Sequence, residues 1–201
     1  MIKFIYFDVG SVIVDNEYAK RKIARDHNLP LDKVLKVFED NWNAGCRGVL
    51  SNQDYHAIVV RELGISHPSG DVTDLWAHYQ APIEATHTFI REIVSHYRLG
   101  ILSNAEKGAL AKQMSKRHIP SIDWEVIVES AQYGAVKPEA EIYHIAESLV
   151  PDVLPHELFF IDDHIEMVDA ARARGWHGEV FDAHRADASI ARIRHALTHI
   201  K

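Results

Sequence analysis

The sequence of 201 residues is poor in cysteine, with Cys46 as its single example. One cysteine excludes a disulfide within the chain and a metal cluster held by cysteines. No apolar run approaches the roughly 20 residues that a membrane-spanning helix needs. The N-terminus also lacks a charged start followed by an apolar stretch and a small-residue cleavage site. We therefore expect a cytoplasmic location and no membrane partner.

Positive charge is scarce as well, with 22 Lys and Arg residues against 29 Asp and Glu, which gives a formal net charge of −7. The basic residues are scattered and form no basic face, so we expect no nucleic-acid partner. Histidine is abundant, at 14 residues, but shows no His-Glu-x-x-His or similar ligand spacing. We expect most histidines to be solvated or partly buried surface residues.

The overall composition, 47% hydrophobic and 25% charged, is typical of a folded globular protein. A chain of this length can bury a real core, as one domain or as a core with a smaller accessory unit. No internal repeat or low-complexity tract interrupts it. We expect a monomer or a homodimer.

The N-terminal stretch holds the first candidate for chemistry. Residues 4–7, Phe-Ile-Tyr-Phe, predict a strand buried on both faces. Asp8 follows directly, and a lone buried carboxylate is unfavourable unless a positive group lies beside it. In open α/β sheets the ligand crevice lies beyond the carboxyl ends of the strands, where Gly10 permits close approach of the backbone. Asp8 is therefore either a catalytic residue or a turn residue that ends the strand.

The next stretch, 16–85, is charged and helix-periodic, without a convincing strand. We predict a helical unit here, with breaks at 43–48 and 67–70 and with helices at 17–27, 31–42, 51–63 and 72–79. Pro30 lies just before the second helix, Ser51 opens the third, and Gly64 ends it.

From residue 86 onward strands and helices alternate, which is typical of right-handed crossovers and a parallel sheet. The predicted helices are 89–97, 107–117, 139–149 and 166–174. The predicted strands are 99–102, 126–128, 158–161 and 178–181. We therefore predict an α/β fold with a three-layer, Rossmann-like core of residues 1–15 and 86–201. The helical unit, 16–85, would be inserted after the first strand.

Four polar groups occupy equivalent places, at or near the carboxyl ends of predicted strands. They are Asp8, Ser103, the pair Asp162-Asp163, and Lys137 in a Gly-x-x-Lys-Pro turn. If the strands are parallel neighbours, all four groups converge on one edge of the sheet. A single residue of this set, Ser103 above all, could simply cap a helix. Capping does not explain all four groups together.

These groups suit phosphate chemistry. Three carboxylates at one place repel one another unless a cation neutralises them, and an all-oxygen site that keeps several waters suits Mg²⁺. A carboxylate such as Asp8 can attack phosphorus and form an aspartyl-phosphate. The Ser103 hydroxyl, the Lys137 ammonium and the backbone amides after Asp8 can hold the non-bridging oxygens. Lys137 also separates Asp8 from Asp162 electrostatically.

Four sequence motifs carry a resemblance to a known family. They are Phe-Asp-Val-Gly-Ser-Val-Ile-Val-Asp, Ile-Leu-Ser-Asn, Val-Lys-Pro-Glu-x-x-Ile-Tyr and Phe-Phe-Ile-Asp-Asp. In this order and spacing they resemble the four motifs of the haloacid dehalogenase-like (HAD) hydrolase superfamily, and the likeness spans nearly the whole chain. The predicted helical unit is similar to the helical type-1 cap of that superfamily.

In the first three motifs the resemblance implies roles for four residues. Asp8 would be the nucleophile and a Mg²⁺ ligand. Ser103 would bind the phosphate, with Asn104 beside it in the substrate site. Lys137 would stabilise the charge of the transferring group.

In the fourth motif the resemblance implies that Asp163 is a direct metal ligand. Asp162 would orient Lys137 or a metal-bound water, and we count it with the metal site. Glu166 would hold a more distant water, or is an ordinary acidic residue at a helix start.

Gly10 departs from the family pattern. Most phosphatases of the superfamily carry a second Asp there, which protonates the leaving group and then activates water, while its backbone carbonyl binds the metal. Gly10 keeps the carbonyl, but the lost acid/base is typically worth about 10² to 10⁴ in rate. A branch resembling sugar-phosphate phosphatases reads Asp-x-Gly-[Asn/Gly]-Val with the same cap. A good leaving group, or a water held by Ser11 or Asp15, would reduce the need for the acid, unless Asp15 is only a hinge or capping residue.

The predicted loop 41–47 combines an aromatic face, amides and a guanidinium. With the cap closed over the site, we expect Trp42 and Arg47 to bind substrate, since a guanidinium suits a phosphate or a sugar acid. The alternatives are that Trp42 packs inside the cap and that Arg47 is a solvated charge. Cys46 is expected to be inert.

Together these features predict an enzyme, a Mg²⁺-dependent phosphoric monoester hydrolase for a small phosphorylated metabolite, with a hexose phosphate as one candidate. The resemblance also admits a haloacid dehalogenase, which uses the same Asp to displace halide from carbon without a metal. The pair Asp162-Asp163 disfavours it, and such dehalogenases usually carry an aromatic residue where Gly10 stands. A catalytically silent binding domain is the third alternative, but it has no physical reason to keep Asp8 and Lys137.

Overall fold

The computed structural model describes residues 1–66 and 70–200, and these contain a five-stranded parallel sheet. Its strands, in spatial order, are β5 (Val126–Glu129), β4 (Arg98–Ser103), β1 (Phe4–Phe7), β6 (Leu158–Asp162) and β7 (His177–Val180). Two short strands, β2 (Val14–Asp15) and β3 (Ala81–Pro82), form a separate antiparallel ladder. The pairings in the larger sheet are parallel, as the alternation of helices and strands predicts.

The helices form two groups along the chain. They are α1 (Asn16–Asp26), α2 (Leu31–Cys46), α3 (Asn52–Leu63) and α4 (Val72–Tyr79) before β3, and α5 (Glu84–Ile93), α6 (Ala109–Ser115), α7 (Ala140–Ser148), α8 (Ile165–Ala173) and α9 (Ala186–His199) after it. We call residues 16–80 the helical insert. Within the described ranges, each helix is too short or too polar to cross a bilayer.

Alternation of side chains along β1 builds three layers. Ile5 and Phe7 pack in one apolar cluster with residues of α5, α6 and α9. Phe4 and Tyr6 pack in the opposite cluster with residues of α7 and α8. Both faces of the strand are buried, which explains its unbroken apolar sequence. The predicted α/β fold with a helix-covered parallel sheet is confirmed.

The register of β1 brings the carboxyl ends of three strands to one edge. Phe7 lies opposite Ile101 of β4 and Ile161 of β6. Asp8 continues this pairing, because its backbone N–H donates to the Ile161 carbonyl at 2.8 Å. The polar residues that follow these strands are therefore neighbours.

The predicted strands and most predicted helices end within two residues of the observed ones. The predicted loop 43–48 is wrong over its first part, because α2 continues to Cys46. Gly45 has a poor helix propensity, but a Cβ there would lie 3.0 Å from the Tyr55 ring. Close packing against α3, which a larger residue would disturb, therefore overrides the local signal.

Two helices after β3 also differ from prediction. The helix predicted at 89–97 begins five residues earlier, at Glu84, and ends at Ile93. The sequence of its first turns is polar and lacks an apolar pattern, but Thr86 and His87 are buried there. Helix α9 was not predicted, although its buried positions recur at helical spacing. Most of the predicted break at 67–70 lies outside the described residues.

The helical insert has an apolar cluster of its own. Phe38 of α2 contacts Trp76 of α4, with ring centroids 4.5 Å apart, and the Tyr55 hydroxyl donates to the Phe38 carbonyl at 3.1 Å. β2 and β3 pair where the chain enters and leaves the insert. The division into a core of 1–15 and 86–201 and a separate helical domain stays a prediction.

Gly45→Val tests the packing of α2 on α3. A Cβ at position 45 would lie 3.0 Å from the Tyr55 ring and 3.3 Å from Glu106 Cγ, so we expect the free energy of unfolding to fall by about 1–3 kcal/mol. Lys33→Val, on the same helix at an exposed position, is the control. Urea denaturation measures both variants, and equal stabilities would contradict the close packing.

Candidate active site

A cavity of about 500 Å³ lies between the carboxyl edge of the sheet and the helical insert. The predicted site residues that line it are Asp8, Gly10, Ser11, Trp42, Ser103, Asn104, Lys137, Asp162 and Asp163. They meet there because β1, β4 and β6 end at this edge, which is where parallel sheets place their ligand crevice.

Lys137 lies between two carboxylates. Its Nζ is 2.8 Å from Asp8 Oδ1 and 2.6 Å from Asp162 Oδ2. Lys137, Asp8 and Asp162 are 4%, 8% and 1% exposed, so their charges are shielded from water. Asp162 Oδ1 accepts the His164 backbone N–H at 2.9 Å. Asp162 is therefore fixed by contacts at both of its oxygens.

Burial and neighbouring charge act in opposite directions on this group. Burial raises the pKa of Asp8, and the charge of Lys137 and a hydrogen bond to Ser103 offset only part of that rise. Burial alone would lower the pKa of Lys137, but the carboxylates of Asp162 and Asp8 raise it above its usual value. Lys137 thus stays charged at neutral pH. A buried Asp8 can remain ionised only beside such a positive charge.

Asp163 completes a cluster of carboxylates. One oxygen from each of Asp8, Asp162 and Asp163 lies within 4.8 Å of the others. Burial, followed by the charge of Asp8, raises the pKa of Asp163 to about 7. Hard oxygen donors at this spacing fit Mg²⁺, and a divalent cation would relieve their repulsion.

Asn104 holds the backbone that carries the Lys137 ammonium. Its Oδ1 accepts the Lys137 N–H at 2.8 Å, and its Nδ2 donates to the Lys137 carbonyl at 3.0 Å. The Lys137–Pro138 peptide in this turn is cis. Asn104 therefore positions Lys137, a role that the sequence analysis did not assign to it.

The turn after β1 uses part of its own backbone. Ser11 has a φ of 55° and donates its N–H to the Val14 carbonyl at 2.7 Å. This N–H is therefore not free for a phosphate oxygen, although the Ser11 side chain lines the cavity. The Asp15 carboxylate accepts the Tyr18 N–H at 2.7 Å. Asp15 therefore caps α1, which is one of the two roles considered for it from the sequence.

Trp42 and Arg47, the two residues of 41–47 predicted to bind substrate, lie in different surroundings. Trp42 lines the cavity, and its ring also meets the Trp76 ring at a centroid distance of 6.2 Å. Arg47 forms an ion pair with Glu139, and its Nη1 donates to the Gly134 carbonyl at 3.3 Å. Arg47 is not among the residues that line the cavity, and its contact with substrate stays a prediction.

Several lining residues were not singled out from the sequence. They are Asn16, Lys20, Leu35, Phe38, Glu39, Trp76 and Gln80 in the helical insert, and Glu106, Ala109, Leu110, Gln113, His164 and Met167 elsewhere. Asn16 and Lys20 lie one helical turn apart on α1, directly after the first motif, and this spacing is the signal that points to them. The others follow from tertiary contacts that no local pattern marks.

Glu106 is a buried carboxyl in this cavity. It is 2% exposed and accepts the Trp76 indole N–H at 3.2 Å. Burial raises the pKa of Glu106 to about 7, although the indole hydrogen bond opposes the rise. Glu106 therefore joins the loop after β4 to the helical insert and titrates near neutral pH.

The sheet order, the acidic edge and the inserted helices define a protein with the HAD-like α/β fold. A predicted HAD-like family hydrolase from Porphyromonas gingivalis is similar over 98% of each chain, with a TM-score of 0.74 and 24% identity. A HAD family enzyme from Bacteroides thetaiotaomicron, in complex with magnesium and inorganic phosphate, is similar over 91% of this chain and 96% of that one, with a TM-score of 0.70 and 18% identity.

The L-2-haloacid dehalogenase of Xanthobacter autotrophicus shares the fold too. It is similar over 100% of this chain and 85% of that one, with a TM-score of 0.68 and 17% identity. No protein-family model and no curated protein matches the sequence. The resemblance of the fold to HAD proteins is therefore confirmed at the level of structure.

Lys137→Met tests the buried ion-pair network. Because it leaves Asp8 and Asp162 buried without their cation, we expect the free energy of unfolding to fall by about 3–5 kcal/mol at pH 8. The loss should shrink at pH 5, where a buried carboxyl takes up a proton more readily. Denaturation with a chelator present measures both. Lys36→Met, at an exposed ion pair with Asp40, should change little, and an equally small loss for Lys137→Met would contradict the network.

Glu106→Gln tests the buried carboxyl. The pKa of about 7 lies above the ordinary value of 4.5, so the wild type loses stability as the pH rises through this interval, whereas Gln cannot ionise. We expect Glu106→Gln to stabilise the protein by roughly 3 kcal/mol at pH 8 and hardly at pH 4. Thermal unfolding at both pH values, beside the exposed control Glu62→Gln, measures this. A gain that does not depend on pH would contradict it.

Proposed function

We propose that the protein is a Mg²⁺-dependent phosphomonoesterase that hydrolyses a small phosphorylated metabolite through an aspartyl-phosphate on Asp8. The observation that carries the proposal is the Lys137 ammonium, 2.8 Å from Asp8 and 2.6 Å from Asp162 at the end of the central strands. A buried ion pair is weak support for stability, since apolar residues of similar volume often stabilise as well. A catalytic role for Asp8 accounts for the buried charges better than stability does.

Asp8 has the surroundings of a nucleophile. Its carboxylate would attack phosphorus, and the P–O bond to the leaving group would break with its electron pair on the leaving oxygen. Water would then attack the phosphorus of the aspartyl-phosphate, releasing phosphate and restoring Asp8. The Lys137 ammonium and the Ser103 hydroxyl would hold the non-bridging oxygens, whose charge must be met in the transition state.

The donor set fits Mg²⁺. Asp8, Asp163 and the Gly10 backbone carbonyl would hold the ion, and Asp162 would orient Lys137 beside it. Bound Mg²⁺ would supply positive charge that neutralises the carboxylates and the phosphate. The Bacteroides enzyme was crystallised with magnesium and inorganic phosphate, which supports the same two ligands for this site.

We propose that the helical insert acts as a type-1 cap. It contributes Trp42 and Trp76 to the cavity, which supports a role in closing over the substrate and excluding water. A volume of about 500 Å³ suits a small metabolite, and a hexose phosphate fits this size class, as in the sugar-phosphate phosphatase-like branch. We further propose a cytoplasmic monomer or homodimer, with a core of 1–15 and 86–201 and a cap of 16–85.

The haloacid dehalogenase alternative comes second. Dehalogenases share the fold, but Asp8, Asp162 and Asp163 within 4.8 Å of one another favour a reaction that uses a cation. Gly10 also stands where dehalogenases of this type usually carry an aromatic residue. A silent binding domain would leave the buried charges without a role.

Phosphate release from a panel of phosphorylated metabolites, with and without Mg²⁺, tests the proposal. Asp8→Asn removes the nucleophile at constant size and is expected to lower kcat by roughly 10³-fold or more. Asp169→Asn makes the same chemical change at an exposed position on α8 and should keep wild-type turnover.

Equal phosphate release by wild type and Asp8→Asn would contradict the nucleophile. Halide release from 2-haloacids without Mg²⁺, in place of phosphate release, would favour the dehalogenase alternative.

A further inference from the structure

Another side chain of the protein fills the space beside Gly10. A Cβ placed on Gly10 would lie 2.4 Å from Asn16 Nδ2, closer than Cβ contacts occur in proteins. The backbone of Gly10 lies outside the left-handed region, so Asn16, and not the backbone, excludes a side chain there. The Asn16 amide therefore occupies the place that a side chain at position 10 would take.

Asn16 is held by a chain of amides. Gln80 Nε2 donates to Asn16 Oδ1 at 2.7 Å, and Gln113 Nε2 donates to Gln80 Oε1 at 2.8 Å. Gln80 and Gln113 are 8% and 7% exposed, so water competes little for these bonds. Because the oxygen of Asn16 is engaged, its N–H groups are directed at Gly10.

The space beside Gly10 that these N–H groups face also borders the reacting carboxylate. The Cβ position on Gly10 is 3.9 Å from Asp8 Oδ2, whereas Lys137 contacts the other oxygen, Oδ1. A donor beside a carboxylate oxygen is favourable, and the reversed amide would set two acceptors against each other. A neutral hydrogen-bond donor and Asp8 Oδ2 thus both border the space beside Gly10, whereas the ammonium contacts Asp8 Oδ1.

Asn16 also stands at the boundary between core and insert. Lys137 and Ser103 belong to the core and Asn16 is the first residue of the insert, so the leaving group of an ester whose phosphate is held by Lys137 and Ser103 would extend toward the insert. In an in-line displacement the leaving oxygen lies on the side of phosphorus opposite the attacking Asp8 oxygen.

We propose that Asn16 is a catalytic residue that donates an amide hydrogen bond to the ester oxygen of the leaving group, and that Gln80 is its positioning residue. The inference rests on the proposed phosphatase function. An amide does not ionise near neutral pH, so Asn16 stabilises developing charge without transferring a proton. The P–O electron pair goes to the leaving oxygen, which then takes a proton from water. The site therefore favours esters whose leaving oxygen carries negative charge well.

A series of aryl phosphates with leaving groups of graded acidity, assayed with Mg²⁺, tests the inference. Asn16→Ala is expected to lower kcat/KM by roughly 10²-fold for the poorest leaving groups and progressively less for better ones. Gln80→Ala should act in the same direction with a smaller loss. Asn52→Ala is the matched control, because Asn52 also begins a helix of the insert and bonds a backbone carbonyl, that of Lys107 at 2.8 Å, outside the cavity.

Each outcome decides between the two proposals. If the wild type hydrolyses the series and Asn16→Ala loses the same factor for every leaving group, or nothing, the inference is wrong and the phosphatase stands. If the wild type hydrolyses none of the esters and no phosphorylated metabolite, the phosphatase proposal fails and this inference fails with it.

A second measurement does not depend on activity. Gly10→Ala should lower Tm, because its Cβ meets Asn16, and the loss should be smaller in an Asn16→Gly background. Additive changes in Tm would show that Asn16 does not occupy the space beside Gly10, and would overturn the inference.

Discussion

The buried ammonium of Lys137, held between Asp8 and Asp162, is the interaction on which the rest of the site depends. Two buried carboxylates need a neighbouring cation, and the protein supplies one in Lys137. Asn104 fixes the backbone that carries this cation, and a backbone N–H fixes Asp162. The site is therefore organised before any substrate or metal binds, which lowers the reorganisation required for catalysis.

The sheet topology makes this arrangement natural. β1 lies between β4 and β6, so residues more than 90 positions apart in sequence meet at one edge without special loops. The helical insert starts right after β2 and returns at β3, and its first helix contributes Asn16 and Lys20 to the cavity at the same edge. The core thus supplies the charged groups, and the insert supplies amides and indoles that surround the rest of a ligand.

Much of this could be predicted from the sequence, because Asp8 and Asp162 each follow an apolar strand and a parallel sheet brings strand ends together. The ion pair of Arg47 could not, since its partner Glu139 lies 92 residues away. Nor could the helix at Gly45, where contact with α3 outweighs a local signal for a loop. The amide chain at Asn16 joins three elements by hydrogen bonds, and no periodicity or motif reports such contacts.

The proposed reaction depends on covalent phosphorylation of Asp8. Rapid quenching of the protein during turnover of a radiolabelled phosphate ester, followed by peptide mapping, measures this most directly. We expect label on the peptide that contains Asp8, sensitive to hydroxylamine as an acyl-phosphate should be. Phosphate release with no label on the protein, or with label on another residue, would contradict it.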